Sequence, residues 1–400
     1  MHPHIQRLYE IAGKPERKII GLMSGTSVDG LDIALCSFTG SGADTKIKVL
    51  QFETVNYTDD FKSEVKSIFS KKQVDFEKLC LLNPWIALQQ AKMINDCLAK
   101  WRIKNNEVDL IASHGQTVYH APKILHKQQK FGNATLQIGD GDHFAVATGI
   151  ITLSDFRQKH IAAGGEGAPL AVYGDYFVFS KKDEDRIMLN MGGIANFTFL
   201  SGDMDASKVF STDTGPGNTI MDVYIQKHFP GKYFDENAAV ASGGTINENL
   251  LKALMQNDFF EKPFPKTTGP ELFNLAYLEN AQQRSGTEDI SQADCMATLN
   301  CFSADTIVDG IKRSFSGSHN FVIYASGGGM HNALLMQNIS RQLPGIIIKT
   351  TADLEINPDA KEAVLFAILA NECVSGGSYN FNSEKAGIPS VTMGKLSFPD

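Results

Sequence analysis

The chain lacks any apolar run close to the roughly 20 residues that a membrane-spanning helix needs. Its first residues, Met1 to Lys18, mix charged and polar side chains and contain no apolar segment of the kind found in signal peptides. We therefore expect neither a membrane partner nor secretion, and we expect a cytoplasmic protein.

Cysteine and positive charge are also scarce. The six cysteines include no Cys-x-x-Cys pair, which disfavours a disulfide framework or a zinc site and fits a reducing compartment. The net charge is −8 and the pI is about 5.7, so no nucleic-acid partner is expected. An anionic ligand would need local donors such as backbone N–H groups.

What the chain does have is length and an ordered pattern of strands. Its 400 residues exceed the roughly 250–300 over which one core can grow, so two domains are expected. Three strands without intervening helices, at Ile19–Met23, Leu31–Phe38 and Ile47–Val55, predict an antiparallel start to a sheet. A helix at Asn83–Trp101 follows, with Asn83-Pro84 as its N-cap and first turn.

Further strands are predicted at Val108–Ser113, Ala134–Ile138 and Ile150–Leu153, and the pattern restarts near Ile187. Two halves of similar order indicate a duplicated ribonuclease-H-like unit. The predicted fold is α/β, with two such domains and a cleft for nucleotide and sugar between them. The first domain is expected at 1–183, completed by 376–400, and the second at 184–375.

A glycine- and hydroxyl-rich turn joins the first two strands. Glycine permits positive φ, and successive turn N–H groups can then converge on an anion such as a phosphate. An ordinary hairpin turn is the alternative reading for the glycines alone. Asp29 is a candidate Mg²⁺ ligand, directly or through water. The candidate phosphate-binding residues of this turn are Gly21, Ser24, Gly25, Thr26, Ser27 and Asp29.

Three further glycine turns follow strands in the second half. None has the spacing of a Walker or dinucleotide-binding motif. Each turn alone is weak evidence, because turns need glycine in any case. Together they predict a nucleotide site, and their candidate residues are Gly192, Gly193 and Asn196; Asp213, Gly215, Gly217 and Asn218; and Gly327, Gly328 and Asn332.

Asp155 follows the apolar strand Ile150–Leu153. A carboxylate at the carboxyl end of a buried strand points into the crevice where α/β proteins bind ligands, and it can serve there as a general base. The alternatives are a helix N-cap or a structural ion pair. The neighbouring Arg157 is a candidate to keep Asp155 ionised or to hold a substrate carboxylate.

Successive segments resemble the signatures of the anhydro-N-acetylmuramic acid kinase family, in family order and over nearly the whole chain. These segments are Gly21 to Asp32, Ser113 to Thr117, Gln137 to Asp140, Asp155 to Arg157 with Ala162 to Leu170, Asn190 to Asn196, Asp213 to Asn218, Ser326 to Asn332 and Pro358 to Ala363. The resemblance implies an actin- and hexokinase-like fold, use of ATP and Mg²⁺, and a small-molecule sugar as substrate. It also implies a role in cell-wall recycling and a homodimer.

The resemblance also assigns residue roles. It implies that Asp155 is the catalytic base and that the stretch 164–169, otherwise a flexible connector, lines the cleft. Glu362 would face the sugar, although the helix dipole alone accounts for an acid in the first turn. His114 is more commonly a core histidine. The full set of candidate sugar-binding residues is Ser24, His114, Gln116, Thr117, Arg157 and Glu362.

The chain departs from the family pattern at 171–175, at Met393-Gly394 and in the basic stretch 121–133. These changes affect the sugar-side lining and the dimer contacts. In the implied reaction, water opens the 1,6-anhydro ring of the sugar and O6 takes the γ-phosphoryl group of ATP. The alternatives are a kinase for an intact amino sugar on the same fold and a nucleotide-gated binding protein related to Hsp70.

Overall fold

The chain forms two units in the computed structural model, which describes residues 1–168, 170–315, 320–354, 357–377, 379–381 and 387–400. The first unit comprises Met1–Ser180 and Asp359–Asp400, and the second comprises Lys181–Pro358. The boundary expected after 183 is close to the observed one. The boundary expected after 375 is wrong, because the helix Lys361–Ser375 packs on the sheet of the first unit.

The first unit is built on a mixed sheet. The first three strands are antiparallel neighbours, as predicted, and the fourth and sixth strands run parallel to the first. The last strand of the chain pairs antiparallel with the sixth. In spatial order the strands are β12 (Lys395–Ser397), β6 (Thr152–Ser154), β4 (Leu110–Ala121), β1 (Glu16–Ser24), β2 (Gly30–Thr39) and β3 (Lys46–Asn56), with β5 (Ala134–Ile138) paired to β4.

Helices cover both faces of this sheet. Side chains alternate along a strand, so successive residues of β1 contact helices on opposite faces. Ile20 and Leu22 of β1 belong to a core shared with the second, third and fifth helices, whereas Gly21 faces the last helix. The helices are α1 (Pro3–Gly13), α2 (Asp59–Ile68), α3 (Phe76–Trp101), α4 (Lys123–His126), α5 (Gly141–Thr148), α6 (Phe156–Ala162), α7 (Ala171–Phe179) and α14 (Lys361–Ser375).

The helix α3 begins at Phe76, not at the predicted Asn83. Asp75 caps it by accepting a hydrogen bond from the backbone N–H of Lys78 (3.3 Å), and Pro84 lies inside the helix. The buried side of α3 already includes Leu82, so packing against the core extends the helix beyond the proline. Tertiary burial here outweighs the local preference of the Asn-Pro pair.

The second unit repeats the topology of the first. Its first three strands are antiparallel, and its fourth and fifth run parallel to the first. The spatial order is β11 (Ile347–Thr350), β10 (Phe321–Ser326), β7 (Asp185–Met191), β8 (Ile194–Leu200) and β9 (Phe210–Pro216). Its helices are α8 (Thr219–His228), α9 (Glu248–Met255), α10 (Asp258–Glu261), α11 (Leu275–Ser285), α12 (Gln292–Ser314) and α13 (Ala333–Gln342).

Each unit thus contains the order third-second-first-fourth-fifth, counting β6 as the fifth strand of the first unit and leaving out β5 and β12. This is the ribonuclease-H-like order, so the predicted α/β fold class is confirmed. Among the helices of the described residues, none has both the length and the apolar character that crossing a membrane requires.

Gly21, predicted as part of a phosphate cradle, is a packing glycine instead. A Cβ atom at this position would lie 1.9 Å from the backbone carbonyl oxygen of Ala363, in the first turn of α14. A real Cβ cannot approach so closely, so only glycine lets α14 lie on β1.

Replacing Gly21 by alanine should therefore lower the free energy of unfolding by about 3 kcal/mol or more, because the clash is with backbone that cannot turn away. Urea denaturation followed by circular dichroism measures the change. Gly25→Ala is the matched control, since its Cβ would meet only the Ser27 hydroxyl at 3.6 Å, and it should change stability by about 0.5 kcal/mol or less. Equal midpoints for the two variants would contradict the packing role of Gly21.

Candidate active site

Asp155 lies directly after β6, where the backbone is strained. Its φ is 57° and its ψ is 45°, a left-handed conformation that costs a non-glycine residue roughly 1–2 kcal/mol. It occupies the N-cap position of α6, but its side chain accepts no capping hydrogen bond. The carboxylate instead contacts the ammonium of Lys395 from β12. Asp155 is thus the N-cap residue of α6 without a capping hydrogen bond, and the alternative of an ion pair is met by Lys395. The strained backbone presents a partly exposed carboxylate.

Arg157 uses two of its guanidinium nitrogens for hydrogen bonds within the first unit, and its predicted roles beside Asp155 stay predictions. Its Nε donates to His114 Nε2 (2.9 Å) and its Nη1 donates to the carbonyl of Gly167 (2.7 Å). Burial lowers the pKa of the guanidinium, and the charge of Glu362 opposes that shift. These bonds connect β4, α6 and the 164–168 stretch; Pro169 lies outside the described residues.

His114 is a buried core histidine, which is the more common role predicted for it. Burial, and then the nearby charge of Arg157, lowers the pKa of its imidazole to about 3. The ring is therefore neutral at physiological pH, and its Nε2 accepts the Arg157 hydrogen bond. His114 thus holds Arg157 in place, and its predicted role as a direct sugar ligand stays a prediction.

Glu362 lies in the first turn of α14, as predicted. The surrounding protein limits hydration of its carboxyl and so raises its pKa, although part of the residue is exposed; the charges of Lys361 and Arg157 lower the pKa, and Asp32 raises it. Lys361 is itself paired with Asp175 of α7 (2.9 Å), within the segment that departs from the family pattern. An acid with a raised pKa, an arginine and the Asp155 carboxylate thus belong to one region of the first unit.

Ser24 and Gln116 support the first glycine turn through buried hydrogen bonds. The Ser24 hydroxyl donates to Gln116 Oε1 (2.5 Å) and lies 2.8 Å from the Tyr57 hydroxyl, which also accepts from Gln90 Nε2 (2.7 Å). The Gln116 amide donates to the carbonyl of Gly25 (3.2 Å). The hydroxyl of Ser24 and the amide of Gln116 are buried and occupied, so these two side chains position the turn rather than contact a ligand directly.

Sequence reasoning missed Tyr57 and Gln90 in this network. The signal for Gln90 was available, because it is a polar residue among Ile86, Ala87 and Ala91 on the buried side of α3. A buried polar side chain there requires a partner. Thr117 is less buried, and its hydroxyl accepts from Gln137 Nε2 (3.1 Å).

The exposed part of the first turn is its tip. Thr26, Ser27 and Asp29 are exposed, and the left-handed residue is Val28 (φ 57°). Gly25 does not have a positive φ, contrary to its predicted role in the turn. Because Mg²⁺ usually takes one or two carboxylates and completes its shell with water and phosphate oxygens, Asp29 with two neighbouring hydroxyls fits such an ion. The described residues contain no cluster of three or more acidic, histidine or cysteine side chains that would suit a metal ion.

In the second unit the predicted turns come together. The N–H of Gly217 donates to the carbonyl of Gly193 (2.8 Å), and the N–H of Asn218 donates to that of Gly192 (2.9 Å). A Cβ on Gly217 would lie 2.3 Å from the Gly192 oxygen, so this approach requires glycine.

The fourth turn, which contains Gly327, lies against these two turns. Gly327 has a φ of 82°, and its Cβ would lie 2.6 Å from Asn190 Oδ1. Asn332 caps α13 by accepting from the N–H of Leu335 (3.0 Å), which leaves its side chain a structural function as well.

A cavity of about 410 Å³ opens beside these turns. Three predicted residues, Asn218, Gly328 and Asn332, line it. Burial raises the pKa of the Asp222 carboxyl in its wall to about 6. Sequence reasoning missed the other lining residues because no motif marks them: Met221, Asp222, Phe234, Asp235, Glu236, Asn237 and His331.

The remaining predicted residues of this unit lie within strands. Asp213 and Gly215 belong to β9, which ends at Pro216. Only Gly217 and Asn218 of the third predicted loop therefore lie outside the strand. Asp213 accepts from the N–H of Thr268 (2.8 Å), and burial raises the pKa of its carboxyl to about 6. Asn196 of β8 is its cross-strand partner.

Two repeated sheets of this order, with glycine turns gathered in the second unit and a carboxylate at a strand end in the first, define a protein of the actin-like ATPase fold class. The sequence profile of a family described as "Anhydro-N-acetylmuramic acid kinase" matches residues 17–396. The anhydro-N-acetylmuramic acid kinase of Pseudoalteromonas atlantica is 57% identical over 401 residues, covering 100% of both chains. That of Caldanaerobacter subterraneus is 36% identical and covers 98% of this chain and 100% of its own. The chain belongs to the anhydro-N-acetylmuramic acid kinase family.

Solved structures similar to this chain are more distant. The activator of 2-hydroxyisocaproyl-CoA dehydratase from Clostridium difficile, with bound ADPNP, has a TM-score of 0.40 at 12% identity, over 89% of this chain and 95% of that chain. A ROK family glucokinase from Streptomyces griseus, in complex with glucose and AMPPNP, has a TM-score of 0.36 at 11% identity, over 88% and 98%.

The low pKa of His114 predicts a pH dependence of stability. Between pH 6.5 and 3 the unfolded chain binds a proton that the folded chain excludes, so the folded state loses stability as the pH falls from about 6.5 toward 3. His114→Gln keeps an acceptor for Arg157 and removes this titration. Its free energy of unfolding should therefore fall less from pH 7 to pH 5, by up to about 1.4 kcal/mol per pH unit.

Urea denaturation at the two pH values measures the difference. His2→Gln, which changes an exposed histidine, should retain the wild-type dependence. Identical pH dependences for His114→Gln and wild type would contradict a neutral, buried His114.

Proposed function

We propose that the protein uses ATP to convert 1,6-anhydro-N-acetylmuramic acid to N-acetylmuramate 6-phosphate in cell-wall recycling. The observation that carries this proposal is the family match over residues 17–396, together with the strained, partly exposed Asp155 carboxylate. The fold alone would allow other substrates, whereas a hydrolytic ring opening requires a general base at the sugar.

In the proposed reaction, Asp155 takes a proton from water as the water oxygen bonds to the anomeric carbon. The bond from that carbon to O6 breaks, and its electron pair stays on O6. O6 then bonds to the γ-phosphorus of ATP while the bond to the ADP oxygen breaks. The proton on Asp155 passes to solvent, so the reaction consumes one water and one ATP.

The other side chains of the first unit orient the sugar. Hydrogen bonds to His114 and Gly167 hold Arg157 in one position, so its side chain gives the sugar site a fixed lining. Glu362, with its raised pKa, is suited to a hydrogen bond with a sugar hydroxyl. Gln116 and Ser24 contribute indirectly, by holding the first turn, and Thr117 is the more accessible candidate for direct contact.

The second unit takes the nucleotide in this proposal. The cavity beside Asn218 has the size of a nucleoside site, and Asp222 offers an acceptor to hydroxyl or amino groups. The glycine turns lie beside this cavity and carry no side chains that would block phosphate oxygens. Asp29, in the exposed turn of the first unit, is the candidate ligand of Mg²⁺, which would supply neutralisation of phosphate charge.

Asp155→Asn should lower the turnover of the anhydro sugar by about 10²–10⁴-fold, because the amide keeps the size of the side chain but cannot accept the proton. ATP and sugar should still bind with near wild-type affinity. Single-turnover assays measure the chemical step and calorimetry measures binding. Near-normal product formation by this variant would refute Asp155 as the base.

Asp222→Ala tests nucleotide binding, whereas Asp155→Asn tests the chemical step. Losing a hydrogen bond to a charged group should raise the Michaelis constant for ATP roughly ten- to hundredfold and leave turnover at saturating ATP within a few-fold. A wild-type Michaelis constant would remove this cavity from the nucleotide site.

The two rival functions are separated by the choice of sugar. A kinase for an intact amino sugar would act on N-acetylmuramic acid at least as well as on the anhydro sugar. A nucleotide-gated binding protein would release ADP at a rate that neither sugar changes. The present proposal requires ADP release that depends on the anhydro sugar.

The proposal also includes a cytoplasmic homodimer. Six free cysteines fit a reducing compartment. Several apolar side chains of the first unit are exposed near the start of α3 and on β5, a feature of interaction surfaces: Val74, Phe76, Leu81 and Leu136. Sedimentation should give twice the 43.7 kDa chain mass at micromolar concentration, and a monomer there would contradict the dimer.

A further inference from the structure

The loop that joins β4 to β5 in the first unit is basic, although the chain as a whole is acidic. The net charge of the chain is −8, yet residues 110–139 contain no aspartate or glutamate. Lys123, Lys127 and Lys130 of this loop are exposed, and among the described residues none of the three forms an ion pair with a carboxylate. The loop therefore carries a local excess of positive charge.

The same loop exposes three large apolar side chains. Ile124 is 65% exposed, Leu125 is 63% exposed and Phe131 is 54% exposed. The first two belong to the short helix α4, and the ammonium of Lys130 lies 5.6 Å from the centre of the Phe131 ring. A single exposed apolar residue is ordinary, but three of them beside three lysines form an amphipathic surface.

Local hydrogen bonds hold the backbone of this loop. The N–H of Lys123 donates to Asn133 Oδ1 (2.8 Å), which joins the two ends of the loop. The imidazole of His126 accepts from the N–H of Gln128 through Nδ1 (3.0 Å), and its Nε2 lies 3.0 Å from the carbonyl oxygen of Gly132. The loop is thus ordered by its polar groups while its apolar side chains gain no burial, as expected of a surface that a partner covers.

We propose that this loop docks on an anionic phospholipid surface. Ile124, Leu125 and Phe131 enter the interfacial layer, and the three lysines reach the lipid phosphates while their stems lie along the apolar part. The expectation of no membrane partner rested on the lack of a spanning segment, and a peripheral contact of this kind needs none. The inference does not depend on the proposed reaction.

Charge and shape favour lipid over the other possible occupants. Two copies of the chain that met loop to loop would bring their lysines together, and like charges repel. A nucleic acid is disfavoured by the net charge of −8 on the whole chain. An acidic protein would suit the lysines but would need a fitted pocket for each apolar side chain, whereas a fluid lipid interface accommodates all three.

Sedimentation with lipid vesicles tests the proposal on the full chain, without ATP or sugar. The unaltered protein should bind vesicles made of equal parts of phosphatidylglycerol and phosphatidylcholine. Binding to pure phosphatidylcholine vesicles should be roughly 100-fold weaker, because the three lysines then lose their anionic partners. Binding to the anionic vesicles should also weaken as the salt concentration rises, since the lysines are exposed.

Removing the positive charge of the loop should have the same effect as removing the anionic lipid. The triple variant Lys123→Gln, Lys127→Gln, Lys130→Gln should bind the anionic vesicles roughly 100-fold more weakly than the unaltered protein. The matched control has the same net charge and changes three exposed lysines elsewhere in the first unit, and it should keep most of the binding: Lys46→Gln, Lys48→Gln, Lys66→Gln.

The apolar part of the contact is tested separately. Leu125→Gln should weaken vesicle binding roughly tenfold, because one apolar side chain no longer leaves water. Val146→Gln is the control, since Val146 on α5 is also exposed, at 65%, and its replacement should not change binding. In Phe131→Trp, brominated acyl chains should quench tryptophan fluorescence beyond the quenching seen in the unaltered protein, since the new ring lies among the lipids.

Unaltered protein that stays in solution with the anionic vesicles would overturn the proposal and leave an acidic protein as the occupant of the loop. Equal binding by the loop variants and their controls would overturn it as well, because any lipid contact would then lie elsewhere. Circular dichroism checks that each variant is folded. Since no substrate is present, failure of the proposed reaction would leave all of these results unchanged.

Discussion

The close contact between β1 and α14 is the constraint on which the first unit depends. Gly21 lets the first turn of α14 approach the strand, and the carbonyl of Ala363 occupies the space that a side chain would need. That approach places Glu362, at the start of the helix, in the electrostatic range of Arg157 and Asp32. Since α14 returns to the first unit only after the whole second unit has been built, residues more than 300 positions apart are brought into one region.

Buried polar side chains do the second part of the positioning. Ser24, Tyr57, Gln90 and Gln116 satisfy one another in the interior, which avoids the cost of roughly 1–3 kcal/mol for an unpaired buried group. The bond from Gln116 to the Gly25 carbonyl extends this network to the first turn. Its exposed hydroxyls and Asp29 are thus attached to a hydrogen-bonded interior.

In the second unit, glycine residues let the backbones of neighbouring turns approach each other closely. Gly192, Gly193 and Gly217 bring two turns into hydrogen-bond contact, and Gly327 brings a third beside them. A cavity beside these turns is lined by the carboxyl groups of Asp222, Asp235 and Glu236. Burial raises the pKa of Asp222 in its wall and that of Asp213 in β9. One topology thus carries different side-chain arrangements, with Arg157, His114 and Glu362 interacting in the first unit and closely packed glycine turns in the second.

The sequence by itself determined the strand order, the duplication, the family and the position of Asp155 at a strand end, because hydrophobic periodicity and local motifs encode these features. Only the tertiary structure decided which of the candidate residues are buried and which are exposed. Gly21 and Ser24 share a motif with the exposed turn, yet packing against α14 and Gln116 makes them internal. The start of α3, the membership of α14, the direction of Arg157 and the arrival of Lys395 beside Asp155 likewise depend on contacts between segments far apart in the chain. A local pattern carries no information about such partners, since burial and pairing are settled only when the sheet has formed.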